Sequence, residues 1–166
     1  MDGKAGCTPE ELEQVMEQYG TQVYRLAYAR LRSVMDAEDV YQEVFLRYYR
    51  KRPFFETENH RKAWILKVAV NRAKSHGTSA WMRHMVPLEK DPGINETPYS
   101  DLYDALGQLK PGDRTILHLF YYEELSVREI AELLSYRESN VRTKLTRARQ
   151  RLAEIMKGET EDEVEI

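Results

Sequence analysis

Residues 126–157 read SVREIAELLSYRESNVRTKLTRARQRLAEIMK, and this stretch decides the fold of the second half of the chain. Ser126 followed by Glu129 forms a capping box, in which a hydroxyl and a carboxylate satisfy backbone amides that lack a helical partner. Ile130, Ala131 and Leu134 then point inward, and the small Ala131 lets a second helix pack closely. After the three-residue turn Ser135, Tyr136, Arg137, the residues Val141, Leu145, Ala148, Leu152 and Ile155 recur at spacings of four, three, four and three. They make one apolar stripe on a long helix from Glu138 to about Lys157. The spacing predicts a helix-turn-helix.

The opposite side of that helix carries the chemistry. At about 100° per residue, Ser139, Thr143, Thr146 and Gln150 line up there, with Asn140 and Arg147 on one edge and Arg142 on the other. Arginine reads guanine edges in a major groove, asparagine can read adenine, and threonine offers a hydroxyl or a methyl. Between Val141 and Leu152, the residues Arg142, Lys144, Arg147, Arg149 and Arg151 have no acidic neighbour. Such a run fits a solvated face, a coiled-coil flank or a phosphate-binding surface. A capped short helix, a turn and a donor-rich face occurring together favour DNA, so the arginines are expected to face phosphates and bases.

Composition agrees with a globular, soluble protein. The chain has 166 residues, 42% of them hydrophobic, enough for one ordinary domain or two small ones. The formal net charge of −3 conceals a division: basic residues outnumber acidic ones from Arg25 to Arg83, while the end, GETEDEVEI, is acidic. Local field is what a nucleic acid feels. Cys7 stands alone, which excludes an internal disulfide framework and fits a reducing compartment. His60, His76, His84 and His118 are scattered without partners at helical spacing, so no metal site is expected, and no cofactor. No signal segment or apolar run of about 18 residues occurs, and a cytoplasmic protein without membrane insertion is expected.

The remaining pattern is helical, and the fold class predicted is all-α. Thr8 caps a helix that closes at Gly20, and a second helix bearing Val23, Leu26, Ala27, Ala29 and Leu31 follows to about Arg32. Asp36 caps a third, ended by Pro53. FFETENH is a loop, and a fourth helix runs from about Arg61 to His76. The stretch MVPLEKDPGINETPY interrupts the pattern as a linker.

Two surfaces of the first half need a partner. Opposite the core side Leu66, Ala69, Val70 and Ala73, the residues Trp64, Lys67, Asn71 and Lys74 form a line. An aromatic, an amide and two cations suit a single nucleic-acid strand, although Trp64 taken alone is more often a core residue. On the third helix Asp39, Gln42, Glu43 and Leu46 cluster opposite Tyr41 and Tyr48. An acidic patch around a leucine suits a protein partner carrying arginines, and an ordinary solvated face fits the same periodicity.

Three segments, DAEDVYQEVFLRYYR, KAWILKVAVNRAK and ALGQLKPGDRTILHLFYYEELSVREIAELLSYRESNVRTKLTRARQRL, together resemble bacterial RNA polymerase sigma factors of the extracytoplasmic-function group, in the family's order. The resemblance implies two small helical domains joined by a flexible linker. Sigma domain 2 spans 8–84, the linker 85–99, the helix-turn-helix sigma domain 4 spans 100–157, and an acidic tail 158–166. It implies that Asp39, Gln42, Glu43 and Leu46 bind the clamp helices of the β′ subunit of core RNA polymerase. It implies that the Phe54 to His60 loop, with Phe54, Phe55, Asn59 and His60, recognises the −10 element together with Asn71, Trp64, Lys67 and Lys74. Arg142, Thr143, Thr146 and Arg147, with Ser139 and Asn140, become −35 contacts, the face that the helical wheel also selects.

Departures lie in the turn, where Ser135, Tyr136 and Arg137 replace a common Gly, apolar residue and Ser; a left-handed Ser135 would cost about 1 to 2 kcal/mol. Ser139 and Asn140 stand where Gly-Thr is common, and Lys110 where Pro is. The function implied is promoter recognition, DNA melting and transcription initiation, with promoter DNA and, where one exists, an anti-sigma factor as partners. A stand-alone helix-turn-helix regulator and a sigma mimic that titrates an anti-sigma factor are the rival readings. No catalytic constellation calls for an enzyme. The tail is read as a solvated end, or as an extended strand of some 20 Å that covers Arg147, Arg149 and Arg151 in competition with DNA.

Overall fold

The computed structural model describes residues 7–82 and 100–164, with side chains at 7–77 and 101–158. Among the described residues every regular element is helical, and the chain divides into two compact units. The first holds α1 (Pro9–Leu31), α2 (Val34–Lys51) and α3 (Glu58–Met82); the second holds α4 (Ser100–Gly107), α5 (Pro111–Leu117), α6 (Val127–Leu134) and α7 (Glu138–Val164). The linker expected over 85–99 lies outside the described residues.

In the first unit Thr8 caps α1 as expected, and Glu11 completes a capping box: Glu11 N donates to Thr8 Oγ1 at 3.1 Å and Thr8 N to Glu11 Oε2 at 3.3 Å. The helix then runs through Gly20, where a break was expected. A mid-helix glycine costs about 0.5 to 1 kcal/mol. Burial outweighs that, since Val15, Tyr19, Val23 and Leu26 on the turns to either side are buried, each worth about 1.5 to 3 kcal/mol when large and apolar. Gly20 serves packing instead: a Cβ there would stand 3.0 Å from Tyr41 Cε2 of α2.

α2 begins at Val34, slightly ahead of the expected cap, so that Asp36 lies in its first turn, where a carboxylate favours the helix dipole. It ends at Lys51, and the chain leaves through Arg52, in the left-handed region at φ 48, and Pro53. α3 starts at Glu58, earlier than Arg61, because Thr57 Oγ1 accepts from His60 N at 3.2 Å and caps it. It also continues through Gly77 to Met82. Asn59 and His60 therefore belong to the first turn of a helix, and the loop between α2 and α3 is shorter than FFETENH. Leu66, Ala69, Val70 and Ala73 are buried as expected, joined by Ile65 and Val68, against Val23, Leu26, Val40, Val44 and Phe45 of the same core.

In the second unit Lys110 is extended and Pro111 takes the first position of α5, where its missing N–H costs nothing. α5 passes into a π turn, His118–Tyr122, closed by Glu123 N donating to His118 O at 3.1 Å. The capping box of α6 is formed, with Glu129 N donating to Ser126 Oγ at 3.1 Å. Ile130 and Ala131 are buried as expected, while Leu133 is buried and Leu134 only half-buried. Ser135 ends α6 in the left-handed region, at φ 59 and ψ 41, and Tyr136 N donates to Ala131 O at 2.9 Å. Val141, Leu145 and Ala148 of α7 are buried, whereas Leu152 and Ile155 are half-buried. α7 does not stop at about Lys157 but continues through Gly158 to Val164. The acidic run is thus carried onward along the helix axis, and an extended strand folding back over Arg147 does not describe it.

Candidate functional site

The first half of α7 presents Ser139, Asn140, Arg142, Thr143, Thr146, Arg147 and Gln150 to solvent, as the helical wheel requires. Its threonines are oriented from within the helix. Thr143 Oγ1 donates to Ser139 O at 3.0 Å and Thr146 Oγ1 to Arg142 O at 2.9 Å. With the hydroxyl protons so used, each oxygen offers lone pairs outward and each methyl stays free for contact. Arg142 Nη2 donates to Glu138 Oε2 at 3.2 Å in an exposed pair one turn apart. Arg147 is exposed and makes no ion pair or hydrogen bond among the described residues.

The other cations of the run also touch their own unit, although Arg149 and Arg151 stay exposed and Lys144 is half-buried. Lys144 Nζ lies 5.3 Å from the Tyr136 ring centre, and the Arg149 guanidinium lies 5.4 Å from Phe120 and 5.6 Å from Tyr121. Arg151 Nη1 donates to Asp113 Oδ2 of α5 at 3.1 Å. The long basic run therefore splits. Arg142 and Arg147 stand on the outward face, and Lys144, Arg149 and Arg151 fasten α7 to the turn, the π segment and α5.

On α2, Asp39, Gln42 and Leu46 are exposed, Leu46 at 47% of its surface. Glu43 departs from them. Its carboxylate meets Arg72 Nε at 3.3 Å and His76 Nε2 at 3.1 Å, so it ties α2 to α3 and is not a free acid for a partner. Met35, 63% exposed, extends the exposed row at the spacing of Asp39, Gln42 and Leu46. The signal for it was available, since residues 35, 39, 42 and 46 share one helical face.

Around the start of α3 an aromatic cluster forms. Trp64 stacks edgewise on Tyr48 at 5.8 Å and on Phe55 at 6.0 Å, so the two expected site residues Trp64 and Phe55 meet and are both half-buried. Phe54, by contrast, is 89% exposed. Asn59, His60, Lys67 and Asn71 are exposed, while Lys74 is half-buried. Beneath them Tyr19 Oη donates to Glu58 Oε2 at 2.8 Å, and burial together with that bond pushes the Tyr19 phenol up to about 12. Burial likewise raises Tyr48. For Arg61, burial opposes the charged form, but Tyr48 and Glu58 outweigh it and raise its pKa. Arg61 also lies 5.7 Å from the Phe55 ring centre. The loop's inner ring is thereby held, and its outer ring is presented.

Among the described residues no helix is long and apolar enough to cross a membrane. Residues 15–83 match the family model for sigma-70 region 2, and residues 99–152 match that for sigma-70 region 4. The chain is 25% identical to the ECF RNA polymerase sigma factor SigW of Bacillus subtilis, over 83% of its own length and 84% of that protein's. It is 26% identical to the RNA polymerase sigma factor YlaC of the same organism, over 93% and 96% of the two chains. Its fold is that of the sigma factor RpoE of Bartonella quintana, solved in complex with the anti-sigma factor NepR: the TM-score is 0.70 at 20% identity, covering 89% of this chain and 98% of that one. Both units and their order thus fall within one family, and the chain belongs to the sigma-70 RNA polymerase sigma factors, in their extracytoplasmic-function group.

Proposed function

We propose that this sigma factor initiates transcription by docking Asp39, Gln42 and Leu46, extended by Met35, on the β′ clamp helices of core RNA polymerase, while its two units engage the −10 and −35 elements of promoter DNA. It acts as a DNA-binding regulator and not as an enzyme, in the cytoplasm where polymerase and promoter meet. Phe54, Asn59 and His60 receive a flipped base of the −10 element, and Lys67, Asn71 and Lys74 hold the exposed strand. Melting requires no catalytic group, because capture of an unstacked base on an aromatic surface offsets the cost of unstacking it. Phe55 and Trp64 support that surface through their ring contacts. Ser139, Asn140, Arg142, Thr143, Thr146 and Arg147 enter the −35 major groove.

The observation that carries this reading is the outward face of α7: every residue proposed to meet the −35 element is exposed, on a helix whose other side is buried. An anti-sigma partner belongs to the same reading, since the fold is shared with a sigma factor captured in such a complex. Core polymerase pull-down combined with promoter opening tests it. Association with core and opening of a double-stranded promoter are expected together. Duplex binding as a dimer without core association would point to a stand-alone regulator, and association with an anti-sigma factor alone would point to a mimic.

A further inference from the structure

We propose a binding site for a divalent transition-metal ion, Zn2+ being the best match, formed by Asp36 and Asp39 of α2 and His76 of α3. One donor atom from each of the three side chains lies within 4.8 Å of the others. His76 Nδ1 stands 4.0 Å from Asp36 Oδ1, too far for a hydrogen bond and close to the separation of two ligands on one ion. Two donors on a tetrahedral Zn2+ lie about 3.4 Å apart, given bonds of about 2.0 to 2.2 Å. The shift needed is small, and Asp39, at the exposed end, has room to make it.

The imidazole is set up for ligation from behind. His76 Nε2 lies 3.1 Å from Glu43 Oε1, and Arg72 Nε lies 3.3 Å from the other oxygen of that carboxylate. An ionised carboxylate only accepts hydrogen bonds, so the proton of a neutral His76 sits on Nε2. The Nδ1 lone pair is then left on the side of the two aspartates. A carboxylate behind a ligating histidine orients the ring and makes it a better donor. One imidazole and two carboxylates, without sulfur, suit Zn2+ and its neighbours and leave a coordination position for water. Asp36 and His76 are largely enclosed, with side chains 12% and 17% exposed, while Asp39 faces solvent.

Asp39 also lies in the row assigned to polymerase, so metal occupancy and clamp docking compete for one carboxylate. This coupling rests on the polymerase reading; metal binding itself does not. Zn2+ titrated into the full chain, followed by calorimetry and repeated with Co2+ for its visible absorption bands, is expected to show one site. His76→Ala and Asp39→Asn should each remove it, Glu43→Gln should weaken it by about 10- to 100-fold, and His60→Ala should leave it intact. Because Asp39 is exposed, its asparagine variant keeps the fold even where His76→Ala loosens α3. Unchanged Zn2+ affinity in Asp39→Asn, or no uptake by the parent, would overturn the site. In a second arm, Zn2+ should weaken core polymerase association of the parent but not of Glu43→Gln at the same subsaturating metal concentration. Equal loss in both would overturn the coupling, and a chain that never binds core would instead remove the polymerase reading.

Discussion

Glu138 and Arg142 are joined across one turn of α7 by a 3.2 Å hydrogen bond, on the face proposed to meet the −35 element. The pair has the favourable order, acid before base, and its acid lies in the helix's first turn. Both side chains are largely exposed, at 62% for Arg142 and 46% for Glu138, so the pair is worth less than about 1 kcal/mol and opens readily. Glu138→Gln should therefore tighten binding to a −35 duplex at low salt, by releasing Arg142 and removing a charge that repels phosphate. The gain should shrink as salt rises. Equal affinities at low ionic strength would show that Glu138 stands clear of the DNA.

Arg147→Ala should weaken holoenzyme binding to the −35 element by about 1 to 3 kcal/mol if the side chain reads a base. If it contacts phosphate only, the loss should be uniform across sequences, with a salt slope lower by about one. Arg149→Ala and Arg151→Ala should act differently, lowering the melting temperature of the second unit through lost contacts with Phe120, Tyr121 and Asp113. A base-specific binding loss in either, with unchanged thermal stability, would return them to the DNA face.

Asp39→Arg or Leu46→Glu should abolish association with core polymerase while leaving helical content intact, because reversed charge opposite arginines is strongly unfavourable. Glu43→Ala should instead lower thermal stability, since Arg72 and His76 lose the carboxylate that both of them face. Pull-down and circular dichroism on the same samples separate the two effects. Core affinity equal to the parent's in both Asp39→Arg and Leu46→Glu would remove the clamp assignment.

Gly20→Val should destabilise the first unit by about 1 to 3 kcal/mol, the usual cost of overpacking. Its Cβ would sit 3.0 Å from Tyr41 Cε2 and 3.2 Å from the hydroxyl. Tyr41→Ala in the same chain should recover part of the loss by opening the space. A double variant no more stable than the sum of the single changes would place the cost in the α1 backbone itself.

Alkaline stability should depend on Tyr19. Its phenol is raised from 10.0 to about 12 in the folded chain, so its contribution is fully present below pH 10 and is lost as pH rises toward 12. Tyr48 is shifted in the same direction. Tyr19→Phe should give a less stable protein with a shallower decline across that window. Denaturation midpoints measured from pH 9 to 12 report the slope, and parallel slopes for parent and variant would assign the decline to other groups.

Much of this protein is written in short windows of its sequence. The capping residues Thr8 and Ser126, the stripe from Val141 to Ala148 and the core side from Leu66 to Ala73 are read from neighbours a few positions apart, and the structure keeps them. The outward face of α7 is legible for the same reason, because helical geometry alone sets which residues share a side. What failed was a local signal overruled at a distance. Gly20 signals a stop, yet Tyr41 packs on it and the buried flanks hold α1 together. Lys144, Arg149 and Arg151 match Arg147 in charge, but each also finds a partner within its own unit, in Tyr136, the Phe120 and Tyr121 rings, and Asp113. Glu43 looks like Asp39 along the helix until α3 brings Arg72 and His76 to it, and the same approach sets His76 beside Asp36. Periodicity is fixed by backbone geometry within a helix, whereas the partner of a long charged side chain is chosen by which other helix packs alongside it, and that choice is made only when the chain folds.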